Sequence, residues 1–315
     1  MGVCIPSQCK ICLSSALLQL RMMGMRITLH LREFCCLGLT LAIVSGAGRA
    51  DERSRSSGQT SAASVATQRK LIALTFDDGP KPYVLMGTKL QNAVSSPGLL
   101  DLLDREGVKA TFFVMGFRLA DTANEFCRQV DVGINCRQAA EEEHRRGHEI
   151  ENHTYGHGPF SKTAKRYGEA WVLNDIDRAS RIIQSVTGVR PRYVRPPDWD
   201  IWETLREKIE GRGYHLMTKS KGDVSEAPAL EDVDSQDYIY AKLKSPLSAA
   251  KTEHDYVVQR IEQRERKGVS THILVFHELP ISVEALSTLI PELKRRGYEF
   301  VTLRDYMKTL TPARN

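Results

Sequence analysis

The sequence predicts an α/β protein: a parallel sheet covered by helices and closed, or nearly closed, as a barrel. Three observations predict it. Strand-like and helix-like stretches alternate from Lys70 to Leu310, the pattern of repeated strand–helix units. Polar, titratable residues gather at the C-terminal ends of the strand-like stretches, the edge where parallel α/β folds build their sites. The chain has 315 residues, 41% hydrophobic and 26% charged, so a packed core is expected in one large domain or two small ones.

The elements follow in order. Leu71 to Phe76 is an apolar run that reads as a buried strand, stopped by Gly79-Pro80. A helix is expected near Gly98–Glu106 and a second strand over Lys109–Met115. Residues 118–146 are polar and partly helical by pattern. His148–Asn152 reads as a short third strand. Gly168–Thr187 is an amphipathic helix with Val172, Ile176, Ala179 and Ile183 on one face. Strand-like Tyr193–Arg195 follows, then a helix over Trp199–Glu210 and a strand over Tyr214–Thr218. Residues 219–250 look irregular. Thr252–Lys267 reads as helix, Ile273–Phe276 as a buried strand, and Val283 to Leu293 as another amphipathic helix. Glu299–Thr302 is the last strand and Asp305–Leu310 a closing helix. No internal repeat is visible.

The first 69 residues have a different character. Arg26, His30 and Arg32 precede an apolar run from Phe34 to Val44, followed by small residues from Ser45 to Ala50. That is the layout of a secretory signal. The run is shorter than the roughly 20 residues of a membrane span, although an uncleaved anchor is the competing reading. Met25 is a plausible true start. Residues 51–69 read as a solvated linker, so the expected organisation is 1–50 extension and signal, 51–69 linker, 70–315 folded domain. The formal net charge of +5 resides mostly in residues 1–50, which carry five Lys and Arg against one Glu. The body is near neutral and offers no footprint for nucleic acid. Of seven cysteines, only Cys127 and Cys136 lie in the body. They form either a disulfide, if the body is exported, or two free thiols.

Asp77 and Asp78 are adjacent carboxylates at a strand end. Two like charges side by side are costly unless a metal, an Arg or both neutralise them. His153 and His157 stand four apart, a spacing that presents both rings on one side of a helical turn. Two His and one carboxylate are a common catalytic metal set that leaves coordination positions open. Arg195 and His277 end two further strands. A zinc ion lowers the pKa of bound water to about 7. His is the side chain whose unperturbed pKa suits it to give or take a proton near neutral pH.

Five segments, Thr75–Pro80, Asn152–His157, Arg195–Pro197, Asp234–Tyr238 and Leu274–His277, come in the order of the motifs of NodB-type polysaccharide deacetylases, carbohydrate esterase family four. The resemblance spans about residues 70–305. It implies a distorted (β/α) barrel and a hydrolase that removes N-acetyl, or O-acetyl, groups from a glycan such as chitooligosaccharide, peptidoglycan or exopolysaccharide. Asp78, His153 and His157 would hold a divalent metal, zinc first, with cobalt or nickel as alternatives. Asp77 would be the general base and Arg195 its partner. His277 would be the general acid and Asp237 the carboxylate that keeps it cationic. Pro197, Asp198, Tyr238, Leu274 and Val275 would line the substrate site, the last two as a pocket for the acetyl methyl.

The chain departs from the family pattern after Arg195-Pro196-Pro197. Asp198-Trp199 stands where an aromatic residue and Gly are usual. Asp198 keeps the backbone N–H that helps hold an oxyanion but adds negative charge, which weakens catalysis or favours a substrate of positive character. Tyr238 replaces a usual Trp. The implied location is periplasmic or secreted. The implied partner is an acetylated glycan, with no nucleic acid and no stable membrane partner apart from export; oligomeric state stays open. Two other readings also stay open: a C–N hydrolase of small amides on the same scaffold, and a carbohydrate-binding protein with a weakened site.

Overall fold

The computed structural model describes residues 69–87, 97–120, 127, 133–218, 233–243 and 245–310. The expected signal segment, start codon and most of the linker lie outside the described residues. Among the described residues eight parallel strands form one sheet: β1 (Lys70–Gly79), β2 (Thr111–Val114), β3 (Glu149–Asn152), β4 (Tyr193–Val194), β5 (His215–Leu216), β6 (Val233–Asp234), β7 (Thr271–His277) and β8 (Tyr298–Val301). Their order is β5-β4-β3-β2-β1-β7-β6, with β8 also on β1. β7 covers one edge of β1 from Leu71 to Asp77. β8 pairs with the first half of β1, through Ala73, and β2 with the second, from Thr75. Among the described residues no pair joins β5 to β6, so the sheet is a distorted barrel left open on that side.

The alternation of β1 sorts its side chains into two layers. Ile72, Leu74 and Phe76 pack into a large cluster with Leu99, Leu102, Leu286 and Leu289 from the covering helices. Leu71 and Ala73 face the other way, into a barrel-interior cluster with Phe113, Tyr193, Ile273 and Val275. Asp77 continues the interior row, beside its strand partner His277. The same periodicity places Leu274 and Phe276 with the helices and Val275 inside.

The helices are α1 (Pro82–Leu85), α2 (Leu99–Arg105), α3 (Gly116–Leu119), α4 (Cys136–Arg145), α5 (Phe160–Tyr167), α6 (Glu169–Thr187), α7 (Glu203–Glu210), α8 (Asp237–Tyr240), α9 (Pro246–Glu265), α10 (Pro280–Arg295) and α11 (Leu303–Leu310). α6 buries Val172, Ile176, Ala179 and Ile183, the face its periodicity marks. Cys127 and Cys136 are joined as a disulfide, which settles the open choice between bridge and free thiols. Two expectations are corrected. α7 starts at Glu203, not Trp199, because Asp198 and Trp199 both take left-handed backbone angles that cannot begin a helix. Of residues 219–250, read as irregular, 219–232 and 244 lie outside the described residues, and the rest hold β6, α8 and the first turn of α9. β6 is two residues long and α8 four, too short for a periodic signal.

Candidate active site

The site begins with a defect in β1. In a regular strand Asp77 and Asp78 point to opposite faces. Here the register with β2 shifts between Phe76 and Gly79, and Asp78 takes a left-handed φ of 65°. Such a bulge re-aims a side chain, and it turns Asp78 into the same cleft as Asp77. Glu278 supports the turn from behind, its Oε2 accepting from the Lys81 backbone N–H at 2.5 Å. A Cβ at Gly79 would fall 1.6 Å from Glu278 Oε1, so any larger residue there would displace that carboxylate.

His153 and His157 do not share a helical turn, contrary to the spacing argument. They sit in a loop after β3 in which Thr154 and His157 are left-handed. Side chains hold that loop. Asn152 Oδ1 accepts from Thr154 N–H at 2.6 Å, and Thr154 Oγ1 accepts from His157 N–H at 3.0 Å. Asp175 of α6 accepts from the N–H groups of Tyr155 and Gly156 at 2.9 and 3.2 Å. His153 Nδ1 lies 2.9 Å from the Arg195 carbonyl. It therefore carries the proton and leaves Nε2 with a lone pair aimed at the cleft.

The three ligand atoms of Asp78, His153 and His157 lie within 4.8 Å of one another. Asp78 Oδ1 is 3.4 Å from His153 Nε2 and 3.0 Å from His157 Nε2, and the two nitrogens are 3.1 Å apart. Donors bound at about 2.05 Å to a tetrahedral ion stand roughly 3.3 Å apart. The set therefore fits one divalent cation in both chemistry and spacing. Burial works to raise the Asp78 pKa, but the two imidazoles outweigh it and hold the carboxyl far below the usual carboxylate range. For His157 burial is likewise outweighed, by Asp78, so its pKa is raised.

Two carboxylate–cation pairs flank this triad. Arg195, fully buried, donates from Nη1 to Asp77 Oδ1 at 2.5 Å. Its guanidinium lies 4.0 Å from the Phe113 ring centroid and 5.3 Å from that of Trp199, within cation–π range. In the second pair His277 Nδ1 lies 2.7 Å from Asp237 Oδ1. Asp237 also accepts from the N–H of His277 at 2.6 Å, from Tyr238 N–H at 2.8 Å and from Ser282 Oγ at 2.7 Å. Burial pulls the His277 pKa down, but Asp237 chiefly, with Asp77 and Asp78, pushes it up to about 9.

A cleft of about 450 Å³ opens over these groups. Asp77, Asp78, His153, His157 and His277 line it, as do Asp198, Tyr238 and Val275. Arg195 and Asp237 stand behind, reaching it through Asp77 and His277. Two expected lining residues are absent from its wall. Leu274 faces the helices by strand alternation, and Pro197 is buried in a 3-10 turn, Pro197–Trp199, with Pro196 on the cleft instead. The sequence reading missed Lys81, Asp234 and Leu279 on the wall, and Asp175 and Glu278 behind it. Asp175 gave one readable signal, a carboxylate on the apolar face of α6 next to Ile176.

Residues 64–217 match the family profile described as polysaccharide deacetylase. A peptidoglycan-N-acetylglucosamine deacetylase of Listeria monocytogenes, PgdA, is 26% identical over 242 residues, covering 76% of this chain and 39% of that protein. This chain thus spans well under half of the Listeria protein's length. A peptidoglycan-N-acetylglucosamine deacetylase of Bacillus cereus is 28% identical over 240 residues, covering 76% of this chain and 68% of that protein. A family 4 acetyl xylan esterase from Clostridium thermocellum, solved in complex with a cobalt ion, superposes with a TM-score of 0.51 at 25% identity, covering 76% of this chain and 91% of that one.

Proposed function

The chain belongs to the polysaccharide deacetylase family, with its NodB-type distorted barrel, and from that premise we propose that it is a metal-dependent hydrolase removing N-acetyl groups from an N-acetylglucosamine-containing glycan. One observation carries the reading. A His–His–carboxylate triad stands between a carboxylate fixed by a buried Arg and an imidazole fixed by a buried Asp. Asp78, His153 and His157 would hold the ion, zinc by donor preference. A divalent ion there supplies Lewis acidity, for activating water and polarising the acetyl carbonyl.

The chain's own residues divide the remaining work. Asp77 carries a negative charge toward the cleft, neutralised from behind by Arg195, and accepts the proton of the attacking water. His277 keeps Nδ1 on Asp237, so its Nε2 proton is the one free to go to the departing nitrogen. The C–N bond breaks as that proton arrives, releasing acetate and a free amine. Tyr238 offers an exposed aromatic wall for a sugar ring. Val275 presents a small apolar surface at the cleft floor.

Residues 70–315 form the proposed catalytic domain, behind a signal segment and a linker that direct it to the periplasm or the outside. The Cys127–Cys136 disulfide fits an oxidising compartment. No helix among the described residues is long and apolar enough to cross a membrane.

The test is acetate release and product mass from chitooligosaccharides, peptidoglycan fragments and acetylated xylan with the purified protein. Activity should vanish with a chelator and return with zinc or cobalt. Turnover of small cyclic amides with none of any glycan by the metal-loaded protein would overturn the reading.

A further inference from the structure

Arg195 holds the proposed general base, yet part of its own hydrogen-bonding capacity goes unused. The guanidinium is fully buried and donates from Nη1 to Asp77 Oδ1. Nε and Nη2 have no acceptor among the described residues. Two aromatic rings lie against the guanidinium instead. Its central carbon is 4.0 Å from the Phe113 ring centroid and 5.3 Å from that of Trp199. A ring face attracts a cation and accepts weakly from N–H groups.

The two rings stand in different places. Phe113, on β2, is fully buried in the barrel interior. Trp199 is half-buried and lines the cleft. Of the two, only Trp199 adjoins both the guanidinium and the cleft.

The backbone under that indole is strained. Asp198 and Trp199 are consecutive left-handed residues, at φ 54° and 57°. A bulky side chain disfavours that conformation, which persists only where the surroundings over-determine it. Here they do. Trp199 N–H donates to the Pro196 carbonyl at 3.2 Å, and Asp200 N–H to the Pro197 carbonyl at 3.1 Å. Asp200 Oδ2 accepts from the Ser161 N–H and Oγ at 2.7 and 2.6 Å, which ties the turn to α5. Glycine takes such angles without strain, so the backbone alone gives no reason for an indole at this position.

We infer that Trp199 is a positioning residue for the general base: its indole covers the Arg195 guanidinium on the cleft side, keeps water from the N–H groups that Asp77 does not take, and so holds Arg195 to Asp77. An ion pair kept from water is electrostatically stronger than a hydrated one. A guanidinium with no other partner within reach also keeps Asp77 at one place in the cleft.

The role of Asp77 as base rests on the function proposed above; the cover over Arg195 does not. The experiment is therefore read first without turnover, by NMR of the Arg195 Nε proton in zinc-loaded full-length protein at pH 7. Trp199→Gly removes the ring and suits the left-handed backbone, so strain does not enter the comparison. The Nε proton should exchange with water about tenfold faster in that variant than in wild type, or more. Trp199→Phe restores a ring face and should bring the rate back to within about threefold of wild type. Where turnover is measurable, kcat should fall about tenfold in Trp199→Gly and recover in Trp199→Phe. Unchanged exchange in Trp199→Gly overturns the inference. So does a raised KM with kcat kept, the sign of an indole that only contacts substrate. If Trp199→Gly does not fold, a nuclear Overhauser contact between the wild-type indole and the Arg195 Nε proton supports the cover, and its absence overturns it. If no glycan is turned over, the proposed function fails while the exchange result stands.

Discussion

The two ion pairs beside the cleft are mirror images in charge. At one wall the carboxylate, Asp77, faces the cleft and the cation, Arg195, is buried behind it. At the other the titratable cation, His277, faces the cleft and the carboxylate, Asp237, is buried. Arg cannot lose its proton in this range, whereas His can. One wall is therefore a fixed charge and the other a switch. A general base must begin each cycle ionised and a general acid must begin it protonated, so a permanent cation behind the one and an anion behind the other set the two starting states. The residue types behind each wall answer that difference.

Asp77→Asn should break the fixed wall with the largest effect. Loss of a positioned general base lowers kcat by about 10²–10⁴-fold. The variant also strands a buried guanidinium whose Nε and Nη2 have no other acceptor among the described residues. Breaking a buried pair on one side costs roughly 3–5 kcal/mol. Denaturant melts of the zinc-loaded protein should show most of that cost persisting from pH 6 to 10, because a guanidinium keeps its charge across that range; only the smaller part that Asp77 adds through the His277 pKa should fade. A cost that mostly faded with rising pH would show that the two walls are not different in kind.

Asp237→Asn sharpens the contrast. The folded-state pKa of His277 is raised from 6.5 to about 9. A raised His pKa contributes stability that is fully present below about 6.5 and lost as pH rises through about 9. A shift of that size corresponds to about 3 kcal/mol at most. Asp237→Asn should thus destabilise by about 2–3 kcal/mol at pH 7 and by about 1 kcal/mol or less at pH 10, where the wild type has given up the charged pair too. The alkaline limb of kcat/KM should sit near pH 9 in the wild type and move down by about two units or more in the variant, since burial alone lowers an imidazole.

The fixed and switching walls were legible in the sequence to different depths. Asp77, Arg195 and His277 each end a strand, and strand ends can be read from apolar runs. Asp237 sits in a four-residue helix between masking polar residues, where no period exists to read. Asp78 was legible as a residue but not as a geometry. Nothing in Asp77-Asp78-Gly79 announces a left-handed carboxylate, yet without that φ the second carboxylate would face the helices. The His153–His157 spacing suggested a helical turn, and the side chains of Asn152, Thr154 and Asp175 override it with a loop. Leu274 was misplaced for an avoidable reason. Alternation from His277 puts Val275 on its face and Leu274 on the other.

Asp175→Ala asks whether the loop that carries two ligands is as rigid as the fixed wall beside it. Asp175 touches no ligand side chain; it holds the backbone between them. Removing such support typically costs 10–100-fold in metal affinity. Competition titration with a chromogenic chelator should show a loss of about that size, and excess zinc should restore kcat. Unchanged affinity would mean that Asn152 and Thr154 alone suffice.

The smallest effect belongs to Asp198, the one carboxylate at the fixed wall with no buried cation behind it. It is exposed and left-handed, at φ 54°. Asn tolerates that backbone and matches the shape, so Asp198→Asn removes only a charge. An exposed charge acts through water, where a contact is worth about 1 kcal/mol or less and fades with salt. The variant should raise KM for partly deacetylated chitooligosaccharides, which carry ammonium groups, by about two- to fourfold at low salt. Fully acetylated oligomers should show little change, and the difference should shrink at about 0.5 M salt, where the screening length falls to about 4 Å. Equal effects on both substrates would place Asp198 with the oxyanion-binding backbone rather than with substrate charge, and the fixed wall would then end at Asp77.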